Sequence, residues 1–411
     1  MREVDVIVVG AGAAGVAAAR ALRDSRLSVL VLEARDRIGG RAWTVRRDGL
    51  PLDLGCGWLH SADENEWATV AGELGFALDT TRPPWGRRAH RLNFSAADQD
   101  AFAAAWDRFD VRIAAVAKEP ADRAAAECLE PGERWNGLLD AVSTYINGVE
   151  LDRLSVHDFV RYHNTGVNWR VEKGYGALIE AAAAGLDVEY DCPATLIDRA
   201  GTRVRIETPR GAIAARAVIV AVPSSIIASE ALRFVPALPD KVEAAAALPL
   251  GLADKLFLRV DRPEDLPVQT RVFGTIDRTA TGSYHLRPFG APMIEGYFGG
   301  ELARELEQAG DRAFADFAIG QLVAHFGSDF RTRLTPLAAS AWGRDPFALG
   351  SYSYARIGHS GARAALAASV DDRLFFAGEA CSINDYSTAH GAYRTGVAAA
   401  QAVLQAVAAN A

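Results

Sequence analysis

Gly10, Gly12 and Gly15 stand in a G-x-G-x-x-G spacing, with Ala14 among them, directly after the β-branched run Val4–Val9. In such a turn the first glycine makes the tight bend and the second lets the backbone approach a pyrophosphate. The third allows a helix to pack closely on the strand it follows. The N-terminus of that helix then faces the phosphate charge. Glu33 ends the next apolar run, 18 residues after Gly15, where a carboxylate can accept from ribose hydroxyls. A tight α/β turn without a ligand can share the glycine spacing; here strand, turn, helix, second strand and acidic end all follow in order. Lys255 is the other residue out of place, a cation inside the otherwise apolar strand-like run Leu248–Leu258. An edge lysine that snorkels to solvent accounts for it as readily as a functional one at this stage. No Ser/His/Asp triad has convincing spacing, and Cys56, Cys128, Cys192 and Cys381 are too dispersed for a metal site.

These residues need elements to hold them. Val4–Val9, the alanine-rich helix to about Asp24 and Ser28–Leu32 make one β-α-β unit. Helical patterns follow at Ala96–Val116 and Glu133–Tyr145, then a turn at Lys173–Gly176 that introduces another helix. Strand-like runs return at Val188–Tyr190, Arg203–Thr208 and Ala217–Val222. Residues 256–300 alternate strands with turns, Ala303–Phe326 reads as a helix, and Leu374–Gly378 repeats the short strand before a glycine. A long helix from about Gly391 closes the chain. Dinucleotide-type strands thus occur at the start, middle and end, which predicts an α/β fold whose nucleotide domain is interleaved with a second one.

The segment Glu33-Ala34-Arg35-Asp36-Arg37-Ile38-Gly39-Gly40-Arg41 adds a second glycine pair and a basic residue. With it the sequence resembles the flavin-dependent amine oxidase family (monoamine, polyamine, spermine and L-amino acid oxidases), nearest in motif to spermine and acetylpolyamine oxidases. Asp53–His60, with Gly57 and Trp58, is similar to the family segment that runs past the flavin. Lys173–Gly176 and Val220–Pro223 match later motifs, and Leu374–Glu379 matches the terminal one, with Gly378 and Glu379. The resemblance implies FAD held by Gly10, Gly12, Ala14, Gly15, Glu33, Ala34, Arg35, Gly40, Arg41, Gly57, Trp58, Gly378 and Glu379. It also places Ala194 near the adenine and Thr388 and Ala389 near the pyrimidine ring. Trp342 falls near the isoalloxazine, where it reads equally as core packing. The implied architecture is a discontinuous Rossmann-like FAD-binding domain over residues 1–75, 185–255 and 341–411. An α+β substrate domain occupies residues 76–184 and 256–340.

The same resemblance implies the chemistry: hydride moves from the carbon alpha to an amine nitrogen onto flavin N5. Dioxygen reoxidises the flavin to give hydrogen peroxide, and the imine hydrolyses. Lys255 is expected to reach N5 through a water, where a cation favours charge that develops during oxygen attack. Ser351 occupies the position at which monoamine oxidases carry the tethering cysteine, so FAD is expected to be non-covalent. Tyr352 becomes one wall of the substrate cage, with Thr388 opposite in place of a second tyrosine. A half-buried strand aromatic is the plain alternative for Tyr352. His60, in Trp58-Leu59-His60 and followed by Asn65, is expected to bind the amine and tune its protonation near neutral pH. A structural histidine under the flavin is the plain alternative. Asp63, Glu64, Glu66, Asp158 and Glu172 are candidates to pair with a second amine of a polyamine. An L-amino acid oxidase would instead need an arginine for the carboxylate, from Arg271 or Arg287, and a flavin-bearing sensor would need no substrate.

Composition narrows the partners. Net charge is −8, from 44 basic and 52 acidic residues, and the basic residues are scattered, so no nucleic-acid footprint is expected. No uncharged apolar stretch reaches membrane-spanning length, which argues against a membrane partner. Dispersed cysteines suit reduced thiols and a cytoplasmic location. Small amines and dioxygen are the expected partners, no metal is required, and the oligomeric state is open.

Overall fold

A computed structural model describes residues 2–88, 94–310 and 312–409. Its larger sheet has eight strands. Arg2–Val9 lies inside it because its valines and Ile7 are buried on both faces. It pairs in parallel with Val29–Leu32 on one side and with Gly211–Val220 on the other. Val188–Glu189 extends the sheet beyond Val29–Leu32. The strand read as Ala217–Val222 begins earlier, at Gly211, because its first half also pairs with Val204–Thr208 in a hairpin. Its last three residues pair in parallel with Leu374–Phe376. The helix Ala13–Ala21 packs on the C-terminal helix Ala389–Ala409, and their alanines let the two approach closely.

The second sheet has five antiparallel strands in the order Thr270–Phe273, Ser283–Leu286, Met293–Gly299, Ala253–Val260 and Leu334–Ala339. Helices Ala96–Val116 and Asn136–Asn147 stand over it, joined by the aromatic cluster of Phe94, Phe102, Trp135 and Phe273. The second of these starts three residues later than the sequence pattern suggests and runs to a left-handed Gly148, φ 71°. The pattern at Ala303–Phe326 divides into Gly300–Ala309 and Ala313–Phe326. The break falls at Gly310, whose φ of 101° no helix accommodates. Among the described residues no helix is long and apolar enough to cross a membrane.

Candidate active site

One cavity of about 1210 Å³ runs between the two sheets, and of the cofactor-binding and catalytic candidates above it gathers all but one. Gly15 lies behind the wall: a Cβ there would come within 1.8 Å of the Gly10 carbonyl oxygen, so its glycine fixes the helix on the turn. Gly10, Gly12 and Ala14 form one end of the wall, and a bridge from Gly12 to Gly39 brings the second glycine pair alongside. Glu33 is buried with both carboxylate oxygens engaged; Oε2 accepts from Ala11 N at 2.8 Å and Oε1 from Arg35 N at 2.9 Å. That brace aims the carboxylate along the turn, and Ala34, Ala194 and Thr195 line the same end. Arg41 donates to Ser351 O at 2.7 Å and to Glu379 Oε1 at 2.9 Å, which ties the glycine-pair loop to the terminal motif. Ser387 N donates to Glu379 Oε2 at 2.9 Å, so the loop that leads to Thr388 and Ala389 hangs on the same carboxylate. An open backbone turn at a helix N-terminus, a braced carboxylate and an elongated apolar-walled space fit an extended dinucleotide such as FAD.

Beyond this cradle the cavity carries buried charge. Lys255 points inward from Ala253–Val260, and its Nζ donates to Asp53 O at 3.0 Å and pairs with Glu295 Oε1 at 3.1 Å. Glu295, on Met293–Gly299, also holds Arg170 at 3.0 Å through Oε2. Burial would raise the Glu295 carboxyl, but Arg170 and Lys255 outweigh it and hold it down at about 2. His285, across the sheet from Glu295, is driven down to about 3 by burial and by Arg170. Trp58 covers this group: its indole donates to Tyr297 Oη at 3.3 Å and the Arg170 guanidinium lies 5.0 Å from its ring. Lys255 was legible as a charge in an apolar run. Its partners were not, because Arg170, Asp53 and Glu295 meet only through the fold.

His60 lines the cavity but does not titrate near neutrality. Its Nδ1 lies 2.6 Å from Asn168 Oδ1, and burial lowers its pKa to about 4. The Asn168 amide nitrogen donates to Gly166 O, so Oδ1 is the acceptor and His60 carries its proton on Nδ1. The expectation of a pH-tuning histidine is therefore corrected: His60 stays neutral, with Nε2 as an acceptor. Tyr352 also lines the cavity, and its hydroxyl donates to Tyr145 O at 2.5 Å, which fixes the ring. Thr388 faces the same space, with its hydroxyl bonded to Asp385 O. Trp342 lines the cavity and packs edge-on against Trp43 at 6.4 Å.

The acidic residues offered for a second amine are not in the wall. Asp63 accepts from Thr165, Glu64 pairs with His163, Glu66 with Arg394 and Asp158 with Arg363, while Glu172 is exposed. Of the two candidate arginines, Arg287 spends its guanidinium on the Leu266 and Gly290 carbonyls, whereas Arg271 lines the cavity.

A family model described as flavin-containing amine oxidoreductase matches residues 13–164 and 130–404. Polyamine oxidase 2 of Arabidopsis thaliana is 32% identical over 97% of this chain and 88% of that protein. Polyamine oxidase 4 of Oryza sativa subsp. japonica is 30% identical over 96% of this chain and 87% of that protein. In three dimensions the chain is similar to putrescine oxidase bound to putrescine, with a TM-score of 0.80 and 20% identity over 98% of this chain and 99% of that one.

Proposed function

Since the chain belongs to the flavin-containing amine oxidoreductases, we propose that it oxidises a primary or secondary amine with an extended arm, using non-covalent FAD and dioxygen and releasing hydrogen peroxide. The observation that carries the reading is the continuity of one cavity from the Glu33 end to the buried Lys255 cluster. FAD, when bound, supplies the acceptor for the hydride that leaves the carbon alpha to nitrogen. The protein's own part is position, desolvation and charge. Gly10, Gly12 and Arg41 would hold the dinucleotide phosphates, and Glu33 the ribose. The polyamine oxidases among the relatives support an extended amine, although the residues that hold it are this chain's own.

Lys255 has three N–H donors, and two are committed to Asp53 O and Glu295. The third remains for a water or an oxygen atom in the cavity, with the cation fixed in place before any reaction. His60 Nε2 can accept from the amine nitrogen, and since the imidazole stays neutral it does not repel an ammonium. Tyr352, pinned through its hydroxyl, offers an aromatic ring to that nitrogen. The Ser351 hydroxyl is used up between Ala253 N and Ala253 O, both at 2.8 Å, and has no chemistry by which to tether a cofactor.

The test is anaerobic titration of the yellow protein with a panel of amines. Bleaching by an amine, with colour and hydrogen peroxide returning in air, is the expected result, and a flavin that no amine reduces would refute it. Acid precipitation is expected to leave FAD in the supernatant; colour retained in the washed pellet would show a covalent bond.

A further inference from the structure

The cavity also holds a cation that has no counter-charge among the described residues. Arg271, on Thr270–Phe273, makes no ion pair among the described residues, and its buried Nε has no hydrogen-bond partner. What it does touch is a ring, that of Phe273, 4.5 Å from Cζ. Burial draws its pKa down to about 10, with Tyr145 pulling the other way. Other interior arginines are served differently: Arg170 has Glu295, and Arg363 has Asp158 at 2.7 Å. An arginine that is desolvated and unpaired costs stability, and a bound ligand can supply the missing partner.

Sheet register fixes how far this cation is from the reacting end. Lys255 pairs with Tyr297, Tyr297 with Ser283, and Ser283 with Phe273, two residues along the strand from Arg271. Three strand steps put the two backbones about 14 Å apart, and both side chains line the same cavity. The acidic residues of the lining are Glu33, Asp110, Asp254 and Glu379, and among the described residues none of them pairs with Arg271. A second ammonium would therefore meet an uncompensated guanidinium.

We propose that the substrate is an amine whose far end carries a carboxylate, bound by Arg271, with an aliphatic chain between the two groups. The proposal rests on the amine oxidase reading of the site and names the substrate class within it. The two side chains close part of the roughly 14 Å between their backbones, and a remaining gap on the order of 10 Å corresponds to roughly eight extended carbon–carbon bonds, against two between the nitrogen and the carboxylate carbon of an α-amino acid. Octylamine, α,ω-diaminooctane and ω-aminooctanoate are therefore matched probes that differ only at the far end.

The experiment compares kcat/KM for these three amines in the wild-type holoenzyme, Arg271→Gln and Arg271→Lys. The carboxylate is expected to raise kcat/KM about 10- to 100-fold over octylamine, as a charge-assisted pair does, and the second ammonium to lower it. Arg271→Gln is expected to collapse the ratio of ω-aminooctanoate to octylamine towards one, and Arg271→Lys to restore part of it. Octanoate, which has no amine to oxidise, gives a second reading through quenching of the cavity tryptophans, with octanol as the uncharged control. Octanoate is expected to bind the wild type more tightly than octanol and to lose that advantage in Arg271→Gln. If octylamine or diaminooctane matches ω-aminooctanoate in the wild type, or if the ratio survives in Arg271→Gln, the carboxylate proposal is wrong while amine oxidation stands. If none of the three reduces the flavin, the amine reading fails instead, and octanoate binding then decides the anion subsite by itself.

Discussion

Glu295 is a carboxylate shared by two buried cations, and that makes it a positioning residue for Lys255. Glu295→Gln keeps the shape but takes from Lys255 and Arg170 the carboxylate that pairs with both. Removing one partner of a buried pair typically costs about 3–5 kcal/mol, so a loss of that order is expected in urea unfolding. Lys255→Met is the milder change, because Arg170 then still has Glu295. It is expected to slow flavin reoxidation by a factor on the order of 10²–10³ with far less effect on anaerobic reduction, read by stopped-flow on the two half-reactions. Equal slowing of both half-reactions would show that Lys255 serves the amine step as well. The sequence exposes Lys255 because a charge interrupts an apolar run. Glu295 is invisible there: its meaning comes from Arg170, 125 residues away, and from cross-strand register. His60 shows the opposite error, since its identity suggests titration and only its burial beside Asn168 forbids it.

Elements show a similar division. The first β-α-β unit is legible because its pattern is local: apolar strand, glycine turn, alanine helix, apolar strand. Gly15→Ala tests that unit directly, since the new Cβ would overlap the Gly10 carbonyl oxygen and push the helix off the turn. Overpacking of this kind costs about 1–3 kcal/mol, and a fall in both thermal midpoint and FAD occupancy is expected. A variant that keeps full occupancy would show that the turn can open without losing the cofactor. The division of Ala303–Phe326 into two helices was missed because its apolar periodicity continues across Gly310, and backbone conformation alone ends the first helix. The five-stranded sheet was legible as strands and turns but not as an order, since Ala253–Val260 sits between strands that come much later in the chain.

At the scale of the molecule, the cavity is lined by groups kept in the charge state that burial or a partner imposes, and this sets the response to acid. His60 and His285 are neutral when folded, with pKa values near 4 and 3 against 6.5 for free histidine. The unfolded chain therefore binds more protons below pH 6.5, and stability falls as pH drops from there towards 4 and 3. Glu295, held near 2 against 4.5, extends the loss below pH 4.5. Each such group contributes a slope of up to about 1.4 kcal/mol per pH unit within its window. Thermal midpoints measured from pH 7 to 5 are expected to decline, and His60→Gln to flatten that decline; an unchanged slope would mean that His60 is protonated in the folded state. The long strand Gly211–Val220 carries one more consequence. Its last residues pair with Leu374–Phe376, and the Glu379 and Thr388 wall of the cavity follows that pairing in the chain. During synthesis, therefore, the ribosome must pass Thr388 before the chamber has this wall. Cofactor capture then waits on that segment, and chains cut short before residue 374 would emerge colourless however well the preceding residues fold.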